Sequence, residues 1–370
     1  MNKIYYKNLI IFLILNGILL LSIILINYYG DGGNRFFHSA VFEDKLVKAL
    51  LSDKNVLVCS NYNDRNVKKL LLKNISTPRD VLIFGSSRTM LLRQDLFDNS
   101  SFFNNSVTTA SLEDDIALYY LYQQRGWKPK KIVIGLDPWI IIDNPDAVLW
   151  KEDFLNEYNN AVQSFFGGRK QLLYSYQHIN AILEKNKQLL SLGYLKDSIK
   201  NLKFLQNIAL FRSNSNNIII EPTPDQLNFF STCHLYQSDG VRLTSNAEEL
   251  TSSAQADYAG SVEAHHLSVM SLSYKRMHTF EQFIDYLSKQ GIEVVFYFPP
   301  YEPEAYHEIE KAINYQMIMQ IDKYFHSVAS RYHIKSLGSY NPFALHLTAN
   351  DFVDDVHLKK QGIDKLFKTV

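Results

Sequence analysis

From the N-terminus, the first pattern is an unbroken apolar run. Leu9 to Ile26 (LIIFLILNGILLLSIILI) carries no charge. About 20 such residues, rising roughly 1.5 Å each, cross a bilayer core as a helix. Asn16, Gly17 and Ser22 dilute the run without breaking it, and Tyr5, Tyr6, Tyr28 and Tyr29 flank it as interfacial aromatics do. A cleaved signal peptide is the alternative. The run exceeds a usual signal core, and the following NYYGDGG offers no small-x-small cleavage pattern, which favours an uncleaved anchor. Lys3, Lys7 and the terminal amine precede the span, while Asp31, Arg35, Glu43, Asp44 and Lys45 after it are mixed in sign. The positive-inside rule then keeps the N-terminus in the cytoplasm and exports everything after Gly30.

Beyond the span, short apolar runs alternate with helical periodicity. Val81 to Phe84 (VLIF), Ser101 to Val107, Lys131 to Asp137 (KIVIGLD), Ile292 to Phe298 (IEVVFYF) and Ile334 to Leu337 read as strands. Helical patterns occupy Leu112 to Gln124, Val262 to Lys289, Pro303 to Tyr332 and Lys359 to Thr369. Strands alternating with helices predict an α/β fold, a doubly wound parallel sheet of about five strands covered on both faces. The interval 140–261 breaks the rhythm. It predicts a helix pair (Lys151 to Phe166 and Gln171 to Leu190), a helix near Ser198 to Phe211, and a polar stretch from Ser213 to Ala256. This reads as one large helical insertion, either a lid or substrate platform or a purely structural elaboration. The chain thus divides into an anchor (1–30), a helical linker region (31–79) and an α/β domain (80–370) with its insertion at 140–261.

Composition narrows the function little. Apolar residues make up 46% of the chain, enough for a packed core, so wholesale disorder is excluded. The 38 basic and 38 acidic residues cancel, and no basic stripe appears, which argues against nucleic acid as a partner. Cys59 and Cys233 form no C-x-x-C motif; outside the cytoplasm they are free to pair, and two buried thiols are the alternative.

Two constellations carry chemistry. In Val81 to Arg88 (VLIFGSSR) a strand delivers the chain to Gly85 and two serines where a helix can start. Backbone N–H groups at such a turn favour a developing oxyanion, although serine also commonly just caps a helix. In Asp354-Asp355-Val356-His357 a carboxylate three residues before a histidine can accept its Nδ1 proton and leave Nε2 free to deprotonate a serine. A surface histidine beside acids is the plain alternative. One motif follows the first strand of the parallel sheet and the other follows the last, so both fall at the carboxyl edge of the sheet, where sites form.

This arrangement resembles the SGNH, or GDSL-like, hydrolase superfamily, over Asp80 to Trp139 and again from Ile292 to Val370. The resemblance implies a flavodoxin-like fold with Ser87, two residues after Gly85, as nucleophile, His357 as base and Asp354 as its orienter. Asp355 matches no family role. The family's oxyanion hole uses the nucleophile's N–H, a glycine N–H and an asparagine amide. These roles fall here on Ser87, on Thr109, which follows Asn104 by five residues, and on Asp137 of Gly135-Leu136-Asp137. An ionised aspartate cannot donate; Asp137 protonated, turned away or bound elsewhere are the open alternatives. Arg88, Asn104, Pro300 and Tyr301 are candidates for the pocket.

In its anchor, its Gly-Ser-Ser turn and its terminal Asp-x-x-His the chain is similar to membrane-anchored cell-envelope acyltransferase-type members of that superfamily. The resemblance implies an extracytoplasmic serine esterase or O-acyltransferase. It acts on a cell-envelope ester or glycan through an acyl-serine, with a multi-pass membrane acyltransferase as a candidate partner. No organic cofactor or metal is implied. His265 and His266 point different ways from a helix and make a poor metal pair, and His278 and His307 are isolated. The non-enzyme alternative is an inactive scaffold or glycan-binding protein on the same fold.

Overall fold

The computed structural model describes residues 2–367 apart from 33–35, 37–39, 60–61, 99, 144–148, 168–178, 180–181, 184, 212–217, 230–232, 244–270 and 312–315. Nine strands are described: β1 (Val56–Val58), β2 (Val81–Phe84), β3 (Phe102–Asn104), β4 (Lys131–Gly135), β5 (Ile218–Ile220), β6 (His234–Tyr236), β7 (Arg242–Leu243), β8 (Glu293–Phe298) and β9 (Lys335–Gly338). Five of them form a parallel sheet in the order β3-β2-β4-β8-β9. Counted along the chain this is 2-1-3-4-5, an order of doubly wound α/β sheets.

Alternation along each strand sends side chains to both faces. Leu82, Phe84, Phe103, Ile132, Ile134, Phe296 and Phe298 join the larger core, with Ile116 and Tyr119 of the helix Leu112–Gln123, Phe280 and Phe283 of Tyr274–Lys289, and Phe325 of Gln316–Tyr332. Val81, Ile83, Val133, Val295 and Tyr297 face a smaller core. Short 3-10 turns (Ser87–Thr89, Gln94–Leu96) and the last helix, Lys360–Phe367, cover that second face. Both sequence motifs lie in loops that follow strand ends of this sheet.

Some boundaries move for local reasons. The helix expected from Val262 begins at Tyr274, capped by the Ser273 side chain, which accepts from the Arg276 N–H; 262–270 lies outside the described residues. The stretch Pro303 to Tyr332 is two helices, Pro303–Lys311 and Gln316–Tyr332. The helix expected near Ser198 begins at Leu192, and Gln171 to Leu190 ends in a 3-10 turn, Gln188–Leu190, with 171–178 and the histidines His265 and His266 outside the described residues.

A second sheet has no counterpart in the sequence reading. The segment expected to be a helical linker, 31–79, holds β1 between the helices Ala40–Leu51 and Asp64–Asn74. β1 pairs antiparallel with β5 and β6, and β6 with β7, giving the order β5-β1-β6-β7. The insertion is therefore not purely helical: its polar stretch supplies three of these four strands. Beside the paired Val58 and His234, Cys59 and Cys233 form a disulfide across 174 residues. The N-terminal helix Asn2–Gly30 contains the membrane-span candidate Tyr5–Gly30, none of whose apolar window is buried.

Candidate active site

β2 ends at Gly85 with φ +138°, and a Cβ there would lie 2.9 Å from Thr89 Oγ1. A Cβ on the neighbouring Gly135 would lie 2.4 Å from Thr89 Cγ2. The two glycines let the chain reverse with Thr89 seated between the strand ends. Ser86 then caps the 3-10 turn, its hydroxyl accepting from the Arg88 N–H at 3.2 Å. Ser86 is wholly buried, whereas Ser87 is half-exposed.

The other motif is a loop closed by an antiparallel bridge between Phe352 and Leu358. Within it Asp354 Oδ1 accepts from the backbone N–H of Val356 (2.9 Å) and of His357 (2.8 Å). The same carboxylate meets His357 Nδ1, at 2.8 Å from Oδ2 and 3.0 Å from Oδ1. The far nitrogen, His357 Nε2, lies 2.8 Å from Ser87 Oγ, a residue 270 positions away in sequence. With Nδ1–H donating to Asp354, Nε2 accepts from the Ser87 hydroxyl. Burial pushes the Asp354 carboxyl up, but the hydrogen bonds from His357 and the loop backbone outweigh it and hold it below the usual carboxylate range. The neighbouring Asp355 faces inward, nearly fully buried, and burial together with the charge of Asp354 pushes its carboxyl up to about 7.

Arg88 ties the pieces together from below. Its guanidinium donates to the carbonyls of Pro299 (2.6 Å), Pro300 (2.8 Å) and Val356 (3.2 Å), and pairs with Asp137 Oδ1 at 3.2 Å. It also stacks 4.4 Å from the centre of the Tyr301 ring. Four carboxyl-edge segments thus converge on one cation: the serine turn, the ends of β4 and β8, and the histidine loop. Asp137 is buried. Burial raises its carboxyl above the usual range, outweighing Arg88 and the Ser86 hydroxyl, which favour the ionised form. Its side chain is engaged as an acceptor from Arg88.

Asn104 is buried too, and its amide donates to the carbonyls of Thr89 (2.9 Å) and Leu92 (3.0 Å) while its oxygen accepts from the Ser106 N–H (2.9 Å). It braces the serine turn from the end of β3. Arg88, Asn104, Pro300 and Tyr301 are all buried, so they form a floor beneath the site and not the wall of an open cleft. Thr109 lies in an exposed turn with φ +48°, the left-handed backbone that a glycine would adopt freely.

The structure adds groups with no sequence signal. The β6–β7 hairpin of the insertion reaches the serine turn, where the Arg242 N–H donates to Met90 O at 3.1 Å. Arg242 Nη2 lies 2.7 Å from His234 Nε2; burial and the positive charge of Arg242 push His234 down to about 3, so the imidazole is neutral and accepts. Lys68 holds this hairpin to the sheet, donating to Asn104 O (2.5 Å) and Gly240 O (2.6 Å); burial pushes its amine down to about 8. Asp115 is a second buried acid near Asp137, pushed well above the usual range by burial and by Asp114.

Compared with known proteins, the chain matches no family model, and no curated protein matches it either.

Proposed function

We propose that the chain is a membrane-anchored serine esterase or O-acyltransferase of the SGNH type. The observation that carries this reading is the continuous chain of hydrogen bonds from Asp354 through His357 to Ser87. A serine hydroxyl is a poor nucleophile unless a base is within hydrogen-bond reach. Here Nε2 takes the Ser87 proton as Oγ attacks the acyl carbon, and the low-lying Asp354 carboxylate stabilises the imidazolium that forms. The imidazolium returns its proton to the departing alcohol, leaving an acyl-serine. Water or a glycan hydroxyl, deprotonated in turn by His357, then takes the acyl group as the bond to Ser87 Oγ breaks and the imidazolium returns the proton to that oxygen. Ser87 opens its 3-10 turn, so its own N–H lacks an intrahelical acceptor and points to an oxyanion role. Thr109 is the second donor on this reading. Asp137 Oδ1 is taken up by Arg88 and is not a donor there.

The strand order 2-1-3-4-5 is the one the SGNH resemblance implies, and Ser87 and Asp137 follow β2 and β4, where that order reverses. The apolar helix is the membrane anchor, with the N-terminus inside and the α/β domain outside. The Cys59–Cys233 bond supports that side, because disulfides persist in oxidising compartments. The pairing of Asp137 with Arg88, where the family presents an amide donor, favours a second reading, an inactive or glycan-binding member of the fold.

A fluorophosphonate probe separates the two. The full chain should label at Ser87, and Ser87→Ala should abolish labelling with an unchanged circular dichroism spectrum. A wild-type chain that never labels and turns over no ester would leave the binding reading standing.

A further inference from the structure

The apolar helix runs to Gly30. Its last turn is gripped by the insertion. The Asn27 amide donates to the carbonyls of Gln188 (3.2 Å), Leu189 (2.9 Å) and Ser191 (3.1 Å). Tyr194 Oη donates to Asp31 Oδ1 at 2.6 Å, and Asn201 donates to Gly30 O at 2.5 Å. The helices touch at the backbone, since a Cβ on Gly30 would lie 2.6 Å from Ser198 O. Asn27 is buried by these contacts, and Ile23, Ile24 and Ile26 are half-covered, while the apolar residues before them are exposed.

These contacts fix a height. The span Tyr5–Gly30 has 26 residues, or about 39 Å at about 1.5 Å per residue, against a hydrocarbon core of about 30 Å. With Leu9 to Ile26 filling that core, Asn27 sits at its edge. The segment bonded to Asn27 therefore lies at the same level, overhanging the last apolar turn. Its remaining side chains are unusual for a surface bathed in water. Leu192 is 71% exposed, Leu190 55%, Leu183 54% and Ile182 46%. Lys185, Lys187, Lys196 and Lys200 are interleaved with them; Asp197 pairs with Lys200 at 3.9 Å and Lys185 lies over the Phe36 ring, and the basic excess that remains is the pattern of an element lying in an anionic interface.

We propose that the described residues 182–183 and 185–202 form a membrane-surface element. Ile182, Leu183, Leu190 and Leu192 seat among the headgroups and upper acyl chains of the leaflet that the anchor leaves, with the lysines at the phosphates. This rests on the anchor reading above. It makes the anchor and the insertion one rigid post, which sets the height and tilt of the α/β domain over the bilayer.

The test uses the full chain in nanodiscs of phosphatidylcholine and phosphatidylglycerol, with part of the lipid brominated either high or low on its acyl chains. Leu190→Trp and Leu192→Trp are compared with the wild-type tryptophan background, and Leu13→Trp reports the anchor. The expected result is loss of the added emission at positions 190 and 192 with the shallow bromines, and at position 13 with the deep ones. Quenching at 13 without any at 190 or 192 overturns the surface element and leaves the anchor. Absence of quenching at all three removes the anchor reading, and the proposal with it. Blue-shifted but unquenched emission at 190 and 192, with two chains per disc, makes a second copy the occupant and also overturns the proposal.

Discussion

Ser86 and Ser87 are adjacent in sequence yet meet opposite surroundings. One is buried as a cap; the other is half-exposed against His357. Ser87→Ala and His357→Ala should each remove nearly all turnover, and the double variant should be little worse than either, because residues acting as one unit are not additive. Ser86→Ala should cost only about 1 kcal/mol of stability as a lost cap; steady-state kinetics and urea melts check both. Asp355 behaves differently from its neighbour Asp354. Its folded carboxyl, raised to about 7, binds a proton that the unfolded chain has already lost above the ordinary carboxylate range. Its contribution therefore makes stability fall as pH rises from about 4 to about 7. Asp355→Asn should flatten that fall, raising the melting temperature at pH 8 more than at pH 5; equal shifts at both would refute the assignment. The two motifs were legible because glycine, serine, aspartate and histidine carry their chemistry in short local spacings. The Arg88–Asp137 pair was not, since it joins the ends of two strands 49 residues apart and neither residue announces its partner.

At the scale of elements, β2, β4 and β8 were readable because each is a short apolar run with punctuation at its carboxyl end, and burial on both faces demands such a run; the edge strand β9 has two exposed residues and a weaker pattern. The three-residue strand β1 was not, for its partners β5 and β6 lie far along the chain within a polar stretch. The expected start at Val262 lies outside the described residues; the described helix starts at Tyr274, where the capping serine Ser273 marks a local beginning. Asn104 shows how an element end serves the site. Its amide ties β3 to the carbonyls of Thr89 and Leu92, so the serine turn is held from a strand and not by its own brief hydrogen bonds. Asn104→Ala leaves buried carbonyls unsatisfied and should destabilise the domain by about 2–4 kcal/mol. Probe labelling per folded molecule should slow as the turn loosens. Labelling that stays at the wild-type rate in the folded fraction would reduce Asn104 to a packing residue.

For the whole molecule, the disulfide joins two parts that the sequence presents as separate. Cys59 belongs to the segment before the α/β domain and Cys233 to the insertion, and the bond holds together the sheet whose β6–β7 hairpin carries His234 and Arg242 to the serine turn. A cross-link closing so long a loop is worth about 2–4 kcal/mol, chiefly by restricting the unfolded chain. The triad itself is held by the parallel sheet and by Arg88, neither of which involves the cysteines. Reduction, or Cys59→Ala with Cys233→Ala, should therefore lower the melting temperature and slow turnover of a bulky ester more than labelling by a small fluorophosphonate. Unreduced peptides from the membrane fraction should show the bond by mass spectrometry. Two alkylatable thiols in freshly isolated membranes would place the domain on the reducing side and reverse the topology. Equal losses for bulky ester and small probe would mean that the second sheet supports the triad itself and not the approach to it.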